Sequence, residues 1–252
     1  MTSQSLPPTA PSPKSVAQAH PHAGRLRDSM VVALAVTSGA TDALGFLALG
    51  SAFTSVMTGN MVLFGVAFAH GDRASLLLTS VAIGSFVLGA AVGARIAGDH
   101  RAGDPVWPVA VNAALVVELV LFAVFAAAWW GLDSAPPSGW FLPLLAVNAA
   151  ALGIQSSAIQ RFGVSGLSTT YLTGTLTSVV IRLVSGKGVR AVGHSVAILI
   201  GLIAGAATGA ALVKVAPAVV PLVQLLPVAA VLVLWRLRRE VLAPGPVPEL
   251  VP

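Results

Sequence analysis

Two blocks of the sequence recur at an almost constant distance along the chain. Residues 54–60 read TSVMTGN and residues 169–175 read TTYLTGT, a shift of 115 positions. Residues 89–94 (GAAVGA) return as residues 205–210 (GAATGA), a shift of 116. A constant shift indicates an internal duplication, and such a repeat constrains the whole architecture. We therefore predict two repeats, at residues 28–131 and 139–240.

The composition assigns these repeats to a membrane. Apolar residues make up 56% of the chain and charged residues only 9%, whereas soluble domains carry about 25% charged residues. An apolar run of about 20 residues can cross a hydrocarbon core of roughly 30 Å. Such runs occupy residues 29–50, 74–97, 106–130, 140–160, 191–213 and 216–235. We predict an all-α polytopic membrane protein with six to eight transmembrane helices.

The two ends of the chain differ from the repeats. Residues 1–27 are rich in Pro, Ser, Ala and Thr without periodicity, which predicts a disordered cytoplasmic tail. This stretch lacks the apolar core of a cleavable signal peptide. Residues 241–252 form a short Pro-rich C-terminal tail. The chain has no cysteine, which excludes disulfides, thiolate metal sites and cysteine nucleophiles.

Two shorter apolar segments, residues 54–70 and 169–184, decide the topology. If both cross the membrane, eight spans form two parallel repeats. If both are re-entrant or broken, six spans form two inverted repeats. With both termini inside, the eight-span topology leaves four of the 14 Lys and Arg residues outside, and the six-span topology leaves only Arg73 and Lys214 there. The positive-inside rule therefore favours six spans.

Two carboxylates lie deep within apolar runs. Asp42 lies in SGATDALGF and Glu118 in ALVVELVLF. An ionisable group at this depth costs about 3 kcal/mol on insertion scales, so it normally faces a cavity or a partner. We predict that Asp42 contacts a solute and that both acids are candidates for proton coupling. The alternative for each is a hydrogen-bonded acid that only fixes helix packing.

The repeated TxxTG motif is the most specific signal. Its hydroxyl-bearing and β-branched residues favour extended backbone before a short half-helix, which Thr58 or Thr173 could cap. Irregular backbone at membrane depth is tolerated only where protein or a water-filled cavity surrounds it. The motif and the polar residues on the preceding helices predict a substrate site formed by Asp42, Thr54, Thr58, Gly59, Asn60, Gln155, Thr169, Thr173, Gly174 and Thr175. Alternatively, these small residues only pack helices.

Small residues recur every four positions in the second repeated block. They are Ser85, Gly89 and Gly93 in the first repeat and Gly201, Gly205 and Gly209 in the second. This spacing lets two helix backbones approach closely. We predict a contact between the two repeats, with a homodimer contact as the alternative.

The motif-bearing stretches resemble a known family. GATDALGFLALGSAFTSVMTGNMVLFG and GIQSSAIQRFGVSGLSTTYLTGTLT are similar to the YoaK family of bacterial inner-membrane proteins, a domain of unknown function. The resemblance covers nearly the whole chain apart from its tails. It implies a multi-pass protein of the inner membrane. Where the family often has His before MTGN, this chain has Val56.

The sequence favours a small-solute transporter or channel with a polar site between the repeats. The alternative is a membrane scaffold or partner-binding protein. An enzyme is not expected, because P-loop, GxSxG and helical HxxxH patterns are missing. The expected partners are the lipid bilayer and an unidentified small molecule or ion. We expect no cofactor, metal, catalytic residue or nucleic acid.

Overall fold

The structure is a computed structural model that describes residues 21–101, 104–164, 169, 172–186, 188 and 192–242. These residues form eight α-helices and no strand. The helices are α1 (Pro21–Ala48), α2 (Met57–His70), α3 (Arg73–Ala97), α4 (Val109–Gly131), α5 (Phe141–Gln160), α6 (Leu172–Val184), α7 (Gly193–Val215) and α8 (Val220–Leu242). All but α2 and α6 are long and apolar enough to cross a membrane. The prediction of a polytopic all-α membrane protein is confirmed.

The boundary of the predicted N-terminal tail is wrong. Residues 21–27 form the first turns of α1, while residues 1–20 lie outside the described part of the chain. Ala23 is fully buried and Leu26 packs against the core, so this stretch belongs to the bundle. The predicted C-terminal tail begins within the last turn of α8, at Val241. The prolines of this region were interpreted as part of a tail, but proline is also tolerated in the first turn of a helix. Composition alone therefore did not reveal the start of α1.

The segment that contains α2 enters the bundle as a loop and leaves it, along α2, at the same end. The chain leaves α1 at Ala48, and the backbone of Thr54 and Ser55 then lies beside Asp42, well inside the end of α1. After α2, His70 and Asp72 border a cavity of about 220 Å³ that Gly50 and Ser51 also line. The segment between α1 and α3 therefore enters and leaves at one end of the bundle.

A tight turn joins α2 to α3. Gly71 ends α2 in the left-handed region, with φ of 68°, and Asp72 caps α3 by accepting hydrogen bonds from the N–H groups of Ala74 and Ser75. The Ser75 hydroxyl donates a further bond of 2.6 Å to this carboxylate. These bonds, led by the Ser75 hydroxyl, hold the pKa of Asp72 below its usual range. In the second half Gly186 follows α6 with φ of 71°, at the position equivalent to Gly71.

The two halves run in opposite directions through the bundle. Trp129 and Trp130, at the end of α4, donate indole hydrogen bonds to the carbonyls of Pro217 and Ala218, which precede α8. At the other end, Arg161 after α5 donates to the Ala97 carbonyl that ends α3. Each long helix of the first half thus has an oppositely oriented equivalent in the second. This arrangement is an inverted repeat with six long helices and two re-entrant short ones.

Close contacts between helix backbones join the halves. A Cβ atom added to Gly93 of α3 would lie 2.7 Å from the Ile154 carbonyl oxygen of α5. A Cβ atom added to Gly209 of α7 would lie 2.7 Å from the Ala40 carbonyl oxygen of α1. Both contacts link one half to the other, so the glycine spacing brings the two repeats together.

Positive charge is concentrated at one end of the bundle, which we name the basic end. It contains the start of α1 and the ends of α3, α5 and α8. Among the described residues, it carries Arg25, Arg27, Arg95, Arg101, Arg161, Arg182, Arg236, Arg238 and Arg239. The opposite end carries Arg73 and Lys214. The described part of the chain thus has the charge distribution of the six-span topology.

Candidate functional site

The starts of the two re-entrant helices face one central cavity of about 450 Å³. Thr58 from α2 and Thr173 from α6 both line it, and these residues are equivalent in the two repeats. Phe86 of α3 and Leu202 of α7, a second equivalent pair, also line it. The remaining lining residues are Ser55, Val56, Met57, Ser156, Gln160 and Leu172. The central cavity therefore lies on the axis that relates the repeats.

Asp42 holds the tip of the first re-entrant segment. Its Oδ1 atom accepts hydrogen bonds from the backbone N–H groups of Thr54, at 2.8 Å, and Ser55, at 2.7 Å, and from the Thr54 hydroxyl at 3.0 Å. Its Oδ2 atom accepts from the Ser55 hydroxyl at 2.6 Å. Backbone N–H groups can only donate, so Oδ1 is the acceptor in both of these bonds, a role that a carboxylate oxygen fills. Asp42 itself does not line the central cavity, but its hydrogen-bond partner Ser55 does.

Asn60 closes the same loop from the other side. Its side chain accepts from the Phe53 N–H at 2.9 Å and donates to the Phe53 carbonyl at 2.7 Å. The Phe53 ring stacks on Phe46 of α1 with centroids 5.0 Å apart. Asn60 is completely buried and therefore fixes the loop rather than presenting its amide to the cavity.

The first turn of α2 differs from the sequence expectation. The helix begins at Met57, and its N-cap is Val56, which makes no side-chain capping bond. Thr58 is therefore inside the helix and not its cap. Gly59 is also helical, and a Cβ atom there would lie 3.1 Å from the Phe53 ring. Gly59 makes room for the Phe53 ring that anchors the loop. The turn of the chain lies before Gly59, because the helix has already begun at Met57.

Gln155 makes the corresponding contact in the second half. Its Nε2 atom donates to the hydroxyls of Thr169, at 3.0 Å, and Ser38, at 2.8 Å, and to the Leu34 carbonyl at 3.3 Å. Thr169 is the repeat equivalent of Thr54, so Gln155 occupies the place that Asp42 has in the first half. One tip is thus held by a carboxylate and the other by an uncharged amide.

The other predicted residues are not brought to the cavity lining. Thr175 is buried in α6 and has a polar partner, and Gly174 lies beside it in the same helix. Glu118 is completely buried in α4, and neither of its carboxyl oxygens has a hydrogen-bond partner in the described part of the chain. Its role in proton coupling stays a prediction.

Several residues of the cavity and its supports were not assigned to the site from the sequence. Ser156 and Gln160 of α5 line the cavity, and the QSSAIQ stretch was their only signal. Gln224 of α8 donates to the Thr41 hydroxyl at 3.1 Å and to the Asn148 side-chain oxygen at 2.7 Å, which joins three helices. An amide inside an apolar run was the available signal for Gln224.

Comparison with known proteins identifies the family. Residues 30–234 match the family described as "Protein of unknown function (DUF1275)". The chain is 32% identical, over 165 residues, to the "UPF0700 transmembrane protein YoaK" of Bacillus subtilis strain 168, covering 66% of this chain and 70% of that protein. No solved structure matches the chain. The chain therefore belongs to the DUF1275 family of multi-pass membrane proteins, which includes YoaK, and the resemblance drawn from its motifs is confirmed.

Proposed function

We propose that this protein is a transporter or channel for a small solute, which binds in the central cavity. The observation that carries the proposal is the convergence of Thr58 and Thr173 on one cavity of about 450 Å³. Substrate sites of inverted-repeat transporters lie near the bilayer midplane, where discontinuous helices from the two repeats meet. The fold supports the same arrangement, because both short helices begin inside the bundle.

The lining indicates the class of solute. Among the described residues, four hydroxyl groups and one amide line the cavity, contributed by Ser55, Thr58, Ser156, Thr173 and Gln160. None of the described lining residues is ionisable. An ion at this depth needs a counter-charge to offset its desolvation. The positive ends of the two helix dipoles disfavour a cation, and no Lys or Arg among the described residues lines the cavity to pair with an anion. We therefore assign the cavity to a small uncharged solute that forms hydrogen bonds.

The proposal is tested with purified protein in liposomes. Stopped-flow light scattering would follow swelling driven by glycerol and by urea, and ion-sensitive dyes would follow Na⁺, K⁺ and Cl⁻. We expect uptake of an uncharged solute that falls about fivefold in Thr58→Val and in Thr173→Val, since one uncharged hydrogen bond contributes about 1 kcal/mol. Thr177→Val is the matched control, because Thr177 lies on α6 outside the cavity lining.

Two results would contradict parts of this proposal. If Thr177→Val reduces uptake as much as Thr173→Val, the cavity is not the solute site. If ions pass and neither uncharged solute does, transport stands but the solute class is wrong.

A membrane scaffold is the second candidate, favoured by the complete hydrogen bonding of the Asp42 carboxylate within the protein. It requires that none of the tested solutes or ions cross faster than in protein-free liposomes.

We also propose that the basic end faces the cytoplasm of a bacterial cell, in the inner membrane, because cytoplasmic loops carry the excess of Lys and Arg. The absence of native cysteine allows a direct test. Ala74→Cys and Ser185→Cys place single exposed thiols at the ends of the two re-entrant segments. A membrane-impermeant maleimide is expected to label residue 74 in intact cells and residue 185 only after lysis. Labelling of both before lysis would contradict the inverted arrangement.

A further inference from the structure

A second cavity opens at the basic end, away from the central cavity. It lies between the start of α4 and the end of α8 and measures about 470 Å³. Its lining residues are Pro105, Trp107, Val109, Trp235, Arg239, Glu240 and Leu242. We name it the basic-end cavity. None of its residues belongs to the site described above.

The inner part of the basic-end cavity is apolar and rigid. Trp107 is only 1% exposed, and its indole N–H donates to the Asn112 side chain at 3.0 Å. The Trp107 ring packs against Phe162 with centroids 4.9 Å apart. Leu242 is equally buried, whereas Val109 is 66% exposed at the side of the bundle. The cavity therefore has a fixed apolar floor that continues onto the surface that would face lipid.

Its mouth carries two opposite charges. Arg239 and Glu240 both line the cavity and are exposed. Neither side chain forms an ion pair within the described part of the chain, although the two are neighbours in sequence. The backbone of α8 leaves helical geometry at Arg238, with φ of −117° and ψ of 17°, directly before this pair. One cationic and one anionic group are thus available at the end of two long apolar helices.

We propose that the basic-end cavity binds the headgroup of a zwitterionic aminophospholipid, phosphatidylethanolamine. The Arg239 guanidinium matches the phosphate, since Arg pairs with phosphate oxygens in two-pronged hydrogen bonds. The Glu240 carboxylate matches the primary ammonium, and the apolar floor takes the first part of an acyl chain. Ends of transmembrane helices lie at headgroup depth, where indole rings such as that of Trp235 are favoured. Pockets with basic residues between transmembrane helices are known to bind lipid headgroups.

Phosphatidylcholine provides the decisive comparison among lipids. It has the same net charge and the same phosphate, but its quaternary ammonium has no N–H to donate to Glu240. Phosphatidylglycerol carries the phosphate without an ammonium, so it would compete well only if positive charge alone attracts lipid to this end. The two lipids separate a shaped site from diffuse electrostatic attraction.

The experiment is native mass spectrometry of the full chain with each of the three lipids added in turn. We expect occupancy by phosphatidylethanolamine to exceed that by phosphatidylcholine by about threefold or more. Arg239→Gln is expected to reduce occupancy by all three lipids. Glu240→Gln is expected to remove the preference for phosphatidylethanolamine and keep binding. Arg238→Gln, which removes the same charge outside the cavity lining, is expected to leave occupancy unchanged.

Three outcomes would overturn the proposal. The first is equal occupancy by phosphatidylethanolamine and phosphatidylcholine in the parent protein. The second is an equal loss in Arg238→Gln and Arg239→Gln, which would show that the bound lipid responds to overall charge only. The third is a preference for phosphatidylglycerol that Glu240→Gln does not change. All three variants alter exposed side chains, so folding of the bundle is not at stake.

Discussion

Gly89→Ala is expected to lower the apparent unfolding temperature of the detergent-purified protein, whereas Gly84→Ala, on the same helix, is expected to leave it unchanged or raise it. A Cβ atom at Gly89 would lie 2.8 Å from the Cα atom of Ala150, so backbone must move. Overpacking of this kind costs about 1–3 kcal/mol. At Gly84 nothing lies within 4 Å of the added atom, and alanine favours a helix by up to about 1 kcal/mol over glycine.

The pair of variants tests the contact and not the chemistry of the residue. The same substitution is made on one helix, and only the neighbours of the new methyl group differ. A shift of equal sign and size in both variants would contradict the close packing of α3 on α5. A second measurement on the same variants, the molecular mass in detergent, tests the homodimer alternative for the glycine spacing. If Gly89 mediated a dimer, Gly89→Ala would change the molecular mass measured by light scattering; with the contact between repeats, the mass stays that of the parent.

The sequence was sufficient for the helices but not for their contacts. Apolar runs of about 20 residues identify spans because the thickness of a bilayer sets their length, and the charge of the loops favoured six of them. The glycine stripes were visible through their four-residue spacing. Gly39 and Gly153 were not, because neither has another glycine four residues away in its helix. A Cβ atom at Gly39 would nevertheless lie 2.9 Å from the backbone N of Ala206.

The repeated motifs indicated where the candidate site lies, but its lining includes only some of the residues that were predicted from the sequence. Depth and polarity drew attention to Asp42, yet its hydrogen-bond partners lie 12 and 13 residues further along the chain, across an irregular loop. Such a loop has no periodicity from which a contact can be read. Phe86 and Leu202 reach the cavity because α3 crosses α5 at Gly153 and α7 crosses α1 at Gly39. Tertiary packing, and not local pattern, places these side chains.

Asp42→Ala is expected to destabilise the protein more than Gln155→Ala, although the two residues hold equivalent loops. Removing the carboxylate leaves the backbone N–H groups of Thr54 and Ser55 without their acceptor, at about 1–3 kcal/mol each. Removing the Gln155 amide eliminates bonds donated to two hydroxyls and one carbonyl, and uncharged bonds of this kind contribute about 1 kcal/mol each. Apparent unfolding temperatures of the two variants, measured side by side, check the order.

Asp42→Asn separates an anchoring role from a role in binding or proton transfer. Its side-chain oxygen can still accept from both N–H groups, and the Ser55 hydroxyl can accept from the new amide, so only the charge is lost. Hydrogen bonds to a charged group contribute about 1.5–3 kcal/mol, against about 1 kcal/mol for uncharged ones. An anchor therefore predicts an unfolding temperature between those of the parent and Asp42→Ala, with uptake falling in parallel. If Asp42→Asn keeps the unfolding temperature of the parent and still abolishes uptake, the carboxylate binds the solute or transfers a proton. The loop would then be held chiefly by Asn60 and the stacked ring of Phe53.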